Sequence, residues 1–427
     1  MVSRSDVWLG RARWPALALA IALTTAALVG AQSPPARAAI SDAPPIAAPF
    51  DLEALIRAAL LGDPAIALAA LDVDRARGDL QQQRGRFDPL VTSGVAASAG
   101  ERATSSTSAS DVDALSSDLG LDQQLRSGRT LSASMRVDRD GSGRAASNLG
   151  TIAFTLGQPL LRGRGRDIAA ADEASAEDFL RSARADRRHT VATRLRTAVR
   201  AYWSLHAEVR NVDVLRRSEE RARTQLASTR ILVEADRVPA ADLVQLEADV
   251  LANEESRIAG EQARTAARLT LGQILGLDAT ASAALPDPAI GFPASEAATL
   301  LDVPDIAALL DLAALRRDDL RAAAERERVA ARDVQVARDD LRPSLDLLLT
   351  PSYTGAVEGG DVDDLFAGLY RNVPGAQATL SLRLRWDPRN RAAEGALVRS
   401  NAAVAPRALE RAQLRQAIES AVAIARD

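Results

Sequence analysis

Hydrophobic and polar residues alternate along several short segments of the chain. The clearest alternation lies at 378–386, where alanine, leucine and tryptophan occupy every second position and threonine, serine and arginine fill the positions between them. A period of two residues is typical of a β-strand with one apolar and one polar face. Weaker forms of this pattern predict five more strands, at 90–99, 118–125, 129–137, 151–159 and 345–350.

Longer stretches between these strands carry a helical pattern. A very long stretch, 167–275, is interrupted only by Ala-Asp-Arg-Val-Pro at 235–239. Its first arm, 167–234, would measure about 100 Å at 1.5 Å per residue. Apolar residues along this arm recur at alternating spacings of four and three, which favours helices that pack side by side. We therefore predict a long helical hairpin with its turn at 235–239. Further helices are predicted at 51–86, 305–342 and 392–427.

The second half of the sequence repeats the first half. Asp51 and Asp305 are 254 positions apart, and so are Pro89 and Pro343, with matching Asp, Gln and Arg residues between them. The shared residues extend over a helix and the proline that ends it. We predict a first structural repeat at 39–277, a linker rich in alanine, aspartate and proline at 278–304, and a second repeat at 305–427.

The second repeat is predicted to be incomplete. Aligning Pro388 with Pro159 gives an offset of 229, which places Asp427 opposite Ala198. Residues 199–277 then have no counterpart. We expect either a truncated gene product or a chain in which the second helical hairpin is absent.

The N-terminal residues predict a secretory signal peptide at 1–38. Three arginines precede an apolar run from Pro15 to Gly30, which is short for a spanning helix of about 20 residues. A single membrane anchor is the alternative. No later apolar run is long enough to cross a bilayer as a helix, so a mature chain that spans a membrane would have to do so as a closed barrel of strands. A soluble sandwich is the alternative for these strands.

Composition argues against several kinds of chemistry. The chain has no cysteine, which excludes disulfides, thiolate metal sites and cysteine nucleophiles. A net charge of −4 is too balanced to suggest a nucleic-acid partner. His189 and His206 have no pattern of neighbouring ligands, and we find no Ser-His-Asp or paired-carboxylate arrangement. We expect a protein that is not an enzyme and has no catalytic residues, no cofactor and no metal.

Four segments carry a resemblance to a known family. They are Gln-Pro-Leu-Leu-Arg-Gly at 158–163, Ala-Tyr-Trp-Ser-Leu at 201–205, the start of the returning helix at 238–254, and Arg-Asp-Asp-Leu at 317–320. In this order, over about residues 50–427, they resemble the outer-membrane efflux proteins, the TolC-like channels. The last segment departs from the family pattern, because an aspartate stands where a proline is usual.

The resemblance implies an α+β membrane protein. Outer-membrane β-barrel strands would be continued by long periplasmic coiled-coil α-helices, with a two-fold internal repeat. The resemblance also implies a homotrimer in outer-membrane lipid, which a periplasmic adaptor and an inner-membrane pump contact in a tripartite efflux or type I secretion system. The channel would conduct substrates passively. The alternative is a soluble periplasmic coiled-coil structural or adaptor protein, and the two differ in whether the chain partitions into a membrane.

The resemblance also implies candidate residues at the turn of the hairpin. Asp242 stands where these channels carry an aspartate near their aperture, and carboxylates in a narrow ring attract cations and pair with basic groups. A solvated aspartate at a helix start is the alternative for Asp242. Arg237 is a candidate partner contact or an exposed turn arginine. Asp236 occupies a usual glycine position, which leaves the turn geometry open.

The alternating segment at 378–386 supplies three further candidates. Arg383 and Arg385 would face the pore if the strand belongs to a barrel, and otherwise a solvated sheet face. Trp386 fits an anchor at the membrane interface.

Overall fold

Two helices separated by a sharp bend open the described part of the chain. The computed structural model describes residues 50–103, 109–141, 147–289, 305–358, 365–370 and 375–426, so the predicted signal peptide lies outside the described residues. Helix α1 spans Leu52–Gly62 and helix α2 spans Pro64–Gly85. The single helix predicted at 51–86 is therefore wrong. Pro64 disfavours a helical conformation at the residue before it, and Asp63 is extended with φ −69° and ψ 115°.

Four antiparallel strands follow these helices. They are β1 at Leu90–Ala103, β2 at Ala109–Gln124, β3 at Thr130–Asp140 and β4 at Ser147–Pro159. Each overlaps one of the four strands predicted in the first half, and the predictions at 118–125 and 129–137 extend one residue too far into the turn between β2 and β3. The predictions were too short at the loop ends of the strands, where alternation is lost among serine, glycine and aspartate.

A helical hairpin occupies the middle of the chain. A short helix α3, Arg166–Ala169, precedes the long helix α4, Ala171–Glu234, and helix α5 returns at Ala241–Ile274. The predicted first arm at 167–234 is corrected at its start, because Ala170 leaves the helical region at φ −108° and ψ 20°. α4 has 64 residues and is therefore about 96 Å long. The predicted linker contains a short helix, α6, at Ala279–Ala283, and its part from 290 to 304 lies outside the described residues.

The second half begins with another bent pair of helices. Helix α7 spans Ile306–Arg316 and helix α8 spans Asp318–Asp340, so the single helix predicted at 305–342 is also wrong. Arg317 is extended at φ −76° and ψ 117° without a following proline. The remaining elements are β5 at Ser344–Glu358, α9 at Ala367–Tyr370, β6 at Ala376–Arg385 and α10 at Arg391–Arg426.

Element bounds follow the offsets found in the sequence. α1 and α7 have 11 residues each and begin 254 positions apart, at Leu52 and Ile306. β1 and β5 also begin 254 apart, at Leu90 and Ser344. β4 and β6 begin 229 apart, at 147 and 376. Among the described residues of the second half, strands β2 and β3 therefore have no counterpart.

The six strands form one antiparallel sheet in the order β1-β2-β3-β4-β5-β6. The chain divides into two units. The sheet unit comprises 81–174 and 332–401, and the helical unit comprises the described residues of 50–80, 175–331 and 402–426.

The core of the helical unit lies around Tyr202. Its hydroxyl donates a 3.0 Å hydrogen bond to the carbonyl oxygen of Phe50, and its ring meets the Phe50 ring edge to face, with centroids 5.4 Å apart. Tyr202 belongs to the segment at 201–205 that carried the family resemblance. The other buried residues of this core are Leu55, Ala59, Ala198, Leu205, Leu271, Leu275 and Leu285.

No helix in the described ranges is by itself both long and apolar enough to cross a bilayer. The bent pair α1 and α2, with 46° between them, meets the length and composition requirement only when taken together.

Candidate functional site

The sheet has one continuous apolar face. Residues opposite each other on neighbouring strands form rows, and one row runs through Leu119, Met135, Ile152 and Tyr353. Neighbouring rows on this face repeat the composition. Their large apolar members are Val91, Val95, Leu121, Leu131, Val137, Phe154, Leu156, Leu349 and Leu380. The alternation predicted strand by strand is therefore in register across the sheet.

Much of this apolar face is uncovered. On β6, Leu380, Leu382 and Leu384 are 67%, 61% and 63% exposed, and Phe154 in the middle of the sheet is 57% exposed. A sheet in water normally buries its apolar face against another layer. Four successive apolar rows, from the row of Leu380 to the row of Val137, cover about 20–27 Å along the strands at about 3.4 Å per residue. At a strand tilt of about 40° this length corresponds to a height of about 16–21 Å, which approaches the apolar band of about 25 Å on a membrane barrel.

The opposite face of the sheet is polar. Threonine hydroxyls bridge β4 and β5 at 3.3 Å, between Thr151 and Thr354, and Thr155 and Thr350 repeat the arrangement at 3.2 Å two rows away on the same face. Arg383 lies on this face opposite Asp346. Arg385 follows on the same face, opposite Ser344. The structure thus places both predicted arginines on the polar side of an exposed strand.

Trp386 follows the last residue of β6 and is 67% exposed. It lies at the end of the strand where the apolar rows stop. Its position agrees with the expected interface anchor, and its role remains a prediction.

A short helix covers the apolar face near its other end. α9 packs on β4 and β5 through three glycines, since a Cβ added to Gly355 would collide with the carbonyl of Gly368 and one on Gly150 would collide with Leu369. Val137, in the same row as Gly150 and Gly355, is fully buried. The exposed apolar band therefore ends at this row. Sequence reasoning missed this contact, although two glycines in one row of an otherwise apolar face would have indicated a close approach.

An ion-pair network lies at the start of the long helix. Arg126, in the turn between β2 and β3, donates two hydrogen bonds of 2.6 and 3.0 Å to Glu173 of α4. Arg84 and Arg166 line the same open cleft of about 620 Å³. The hydrogen bonds from Arg126 are the main cause of the lowered pKa of Glu173, which burial opposes and the positive charges of Arg126, Arg84 and Arg166 assist. The network holds the β2–β3 turn against α4.

A second network joins the two arms of the hairpin. Glu219 of α4 is about 5% exposed and accepts a 2.6 Å hydrogen bond from Arg257 of α5. Arg257 also donates to Glu261, which pairs with Arg216 across the hairpin at 2.8 Å. The hydrogen bond from Arg216 is the main cause of the lowered pKa of Glu261. The two contacts across the hairpin join residues 38 and 45 positions apart, beyond the reach of a periodicity argument.

The three predicted tip residues lie close together at the turn of the hairpin. Asp236 has φ +51°, and its amide donates to the carbonyl of Val233 at 3.0 Å. Arg237 follows, with its amide bonded to the carbonyl of Leu232 at 2.9 Å. Asp242 lies in the first turn of α5, where a carboxylate interacts favourably with the helix dipole. All three side chains are exposed. Their roles in an aperture or in partner binding stay predictions.

Comparison with known proteins identifies the fold. No family model matches the sequence, and no curated protein matches it. Solved structures do match. The outer-membrane channel OprN has a TM-score of 0.58 at 19% identity, over 87% of this chain and 73% of that one. CusC, whose structures were reported to show conformational changes that accompany folding and transmembrane channel formation, has a TM-score of 0.58 at 12% identity, over 88% of this chain and 75% of that one. The outer membrane protein VceC from Vibrio cholerae has 0.55 at 17% identity, over 86% and 75%. The fold is TolC-like, so the expected resemblance is confirmed for the fold.

Proposed function

We propose that this chain is one subunit of a homotrimeric outer-membrane channel. In the assembly the sheet forms part of a closed barrel in lipid and the long hairpin lies in the periplasm. The channel conducts substrates passively, without making or breaking a bond, as part of a tripartite efflux or type I secretion system. An inner-membrane pump supplies the substrate, and a periplasmic adaptor contacts the helical end.

The uncovered apolar face of the sheet carries this proposal. Its rows continue across all six strands, and its height of about 16–21 Å approaches the apolar band of a membrane barrel. Hydrocarbon in contact with this face removes the apolar area from water. The polar face then lines an aqueous space, where Arg383 and Arg385 contribute positive charge.

The edges of the sheet support assembly from several copies. β1 and β6 each have one neighbour in the sheet, so each presents a row of unpaired backbone groups. Such groups are not tolerated in contact with lipid, and a closed barrel pairs them. In an antiparallel sheet of six strands the two edge strands run in opposite directions. β6 of one copy is therefore antiparallel to β1 of the next, and this head-to-tail contact closes into a ring.

The hairpin supports the periplasmic part of the proposal. An arm of about 96 Å, fastened by buried and half-buried ion pairs to a second helix, is suited to spanning a wide aqueous compartment. Asp242 and Arg237 at the exposed tip are the residues we assign to the aperture and to contact with the adaptor or pump.

Membrane fractionation tests the proposal. The chain, expressed with its N-terminal segment in a Gram-negative host, is expected in the outer-membrane fraction, resistant to a urea wash and extracted by detergent as a trimer. Recovery of monomer in the soluble periplasmic fraction would overturn the proposal and favour the coiled-coil structural or adaptor protein. Ion conductance by the purified trimer in a planar bilayer then tests the channel itself.

A further inference from the structure

The two halves of the sheet differ by one hairpin. β1 corresponds to β5 and β4 corresponds to β6 by their starting positions. β5 and β6 pair directly with each other, whereas β1 and β4 are separated by β2 and β3. The change of offset from 254 to 229 shows the same difference in length, since the first half has 25 more residues between these strands.

The additional hairpin is fully integrated in the sheet. β2 pairs with β1 from Leu90↔Asp122 to Ala103↔Ala109, and β3 pairs with β4 from Thr130↔Gly157 to Asp140↔Ser147. These registers extend along nearly the whole length of each strand. β2 and β3 cannot leave the sheet without breaking both ladders.

The hairpin also has the two faces of a wall strand. Leu119, Leu121 and Met135 lie on the apolar face, in rows with Ile152 and Phe154 of β4. The alternate positions of the hairpin carry polar side chains in rows with the threonines of β4. They include Asp118, Asp122, Ser132 and Arg136.

We propose that β2–β3 is an inserted hairpin that widens the pore and admits bulkier solutes. This inference rests on the proposed function. Each copy supplies six strands to the barrel wall. Without the inserted hairpin it would supply four, namely β1, β4, β5 and β6. Three copies then make a barrel of eighteen strands instead of twelve. At a strand spacing of about 4.8 Å and a tilt of about 40°, the barrel radius is about 18 Å instead of about 12 Å.

Deletion of residues 109–140 supplies the matched control. The deletion removes β2 and β3 together and joins the end of β1 to the start of β4 through residues 104–108 and 141–146. Two strands are lost, so β1 and β4 remain antiparallel, and Val91 and Phe154, which lie in the same row, stay on the same face.

Electron cryo-microscopy of the detergent-extracted assembly counts the strands. We expect eighteen for the full chain and twelve for the deletion variant, with a barrel diameter about 1.5-fold smaller. A membrane-embedded trimer of the full chain with twelve wall strands would overturn this inference and leave the proposed function standing. A soluble monomer would overturn the proposed function instead.

Disulfide trapping in the full chain keeps the test decisive if the deletion variant does not fold. The chain has no cysteine of its own. Thr92→Cys on β1, combined in turn with Gln377→Cys, Thr379→Cys or Ser381→Cys on β6, is expected to cross-link neighbouring copies in one of these three combinations, because all four positions lie on the polar face. Leu380→Cys is the control on the opposite face.

A second pair of cysteines tests the alternative arrangement, in which β1 pairs directly with β4 and the β2–β3 hairpin lies outside the barrel wall. Thr92→Cys and Ala153→Cys lie in one row with β2 and β3 between them, about 14 Å apart at the spacing of neighbouring strands. No cross-link within the chain is expected. An efficient one would mean that β1 contacts β4 and that the hairpin lies outside the wall, which contradicts the inference.

Discussion

A single charge on the apolar face should destabilise the protein far more in lipid than the same charge one residue away. Leu380 is 67% exposed and lies in a row with Leu131, Leu156 and Leu349. In the proposed assembly its side chain contacts hydrocarbon. Arginine on the lipid face costs about 2–4 kcal/mol near the bilayer midplane. Leu380→Arg is therefore expected to reduce the folding equilibrium constant by about 30-fold to 1,000-fold.

Thr379→Arg is the matched control for this substitution. Thr379 is the preceding residue of β6 and lies on the polar face, opposite Thr350. A surface substitution without lost contacts changes stability by about 0.5 kcal/mol or less. Urea unfolding of both variants from lipid vesicles, followed by tryptophan fluorescence, measures the two free energies of unfolding. Equal values for the two variants would refute a lipid-facing role for this side of the sheet, because an exposed leucine in water would tolerate arginine as well as the threonine does.

Three further predictions concern the helical unit. Glu219→Gln is expected to lower the free energy of unfolding by about 1–3 kcal/mol, because a buried acceptor loses its charge while Arg257 keeps Glu261 as a partner, and urea denaturation measures the loss. Tyr202→Phe is expected to cost about 0.5–1.5 kcal/mol in the same assay, because the Phe50 carbonyl loses one hydrogen bond and keeps the one from the amide of Ala289. The hydrogen bond from Arg216 lowers the pKa of Glu261 below its ordinary 4.5, so its contribution is complete above about pH 4.5 and lost as the pH falls through the lowered pKa. Urea midpoints from pH 6 to pH 3 should therefore fall more steeply for the unaltered chain than for Glu261→Gln.

The sequence predicted the features that depend on local periodicity. The strand at 378–386 differs by one or two residues from the observed Ala376–Arg385, and the turn of the hairpin lies where Pro239 interrupts the helical pattern. Alternation also predicted which side of β6 carries Arg383 and Arg385. These outcomes are expected, because a two-residue period in a strand and a proline in a helix act within a few residues.

Contacts between distant residues were beyond this reasoning. The pairing of Glu219 with Arg257 depends on how the arms of the hairpin align, and no local pattern reports that alignment. The approach of α9 to Gly150 and Gly355 depends on the order of strands in the sheet. The helix break at Asp63 was missed for a different reason. Apolar residues continue on both sides of Asp63, so the pattern resembles one helix, although Pro64 would have indicated the break.

The two helix breaks show what the halves of the chain share. In the first half Pro64 imposes the break, and Asp63 is held by a 2.6 Å hydrogen bond from Arg194. At the break in the second half no proline is present, since Asp318 follows Arg317. Arg317 is extended and pairs with Asp319 at 2.6 Å, and the carboxylate of Asp319 also accepts from the amide of Leu320. Different local chemistry thus interrupts the helix at the same offset of 254, and β1 and β5 begin at that offset as well. Both halves therefore share the helix pair and the start of the strand that follows it. They differ in the number of described strands, which is four in the first half and two in the second. The width of the sheet, and with it the proposed pore size, depends on the half that carries β2 and β3.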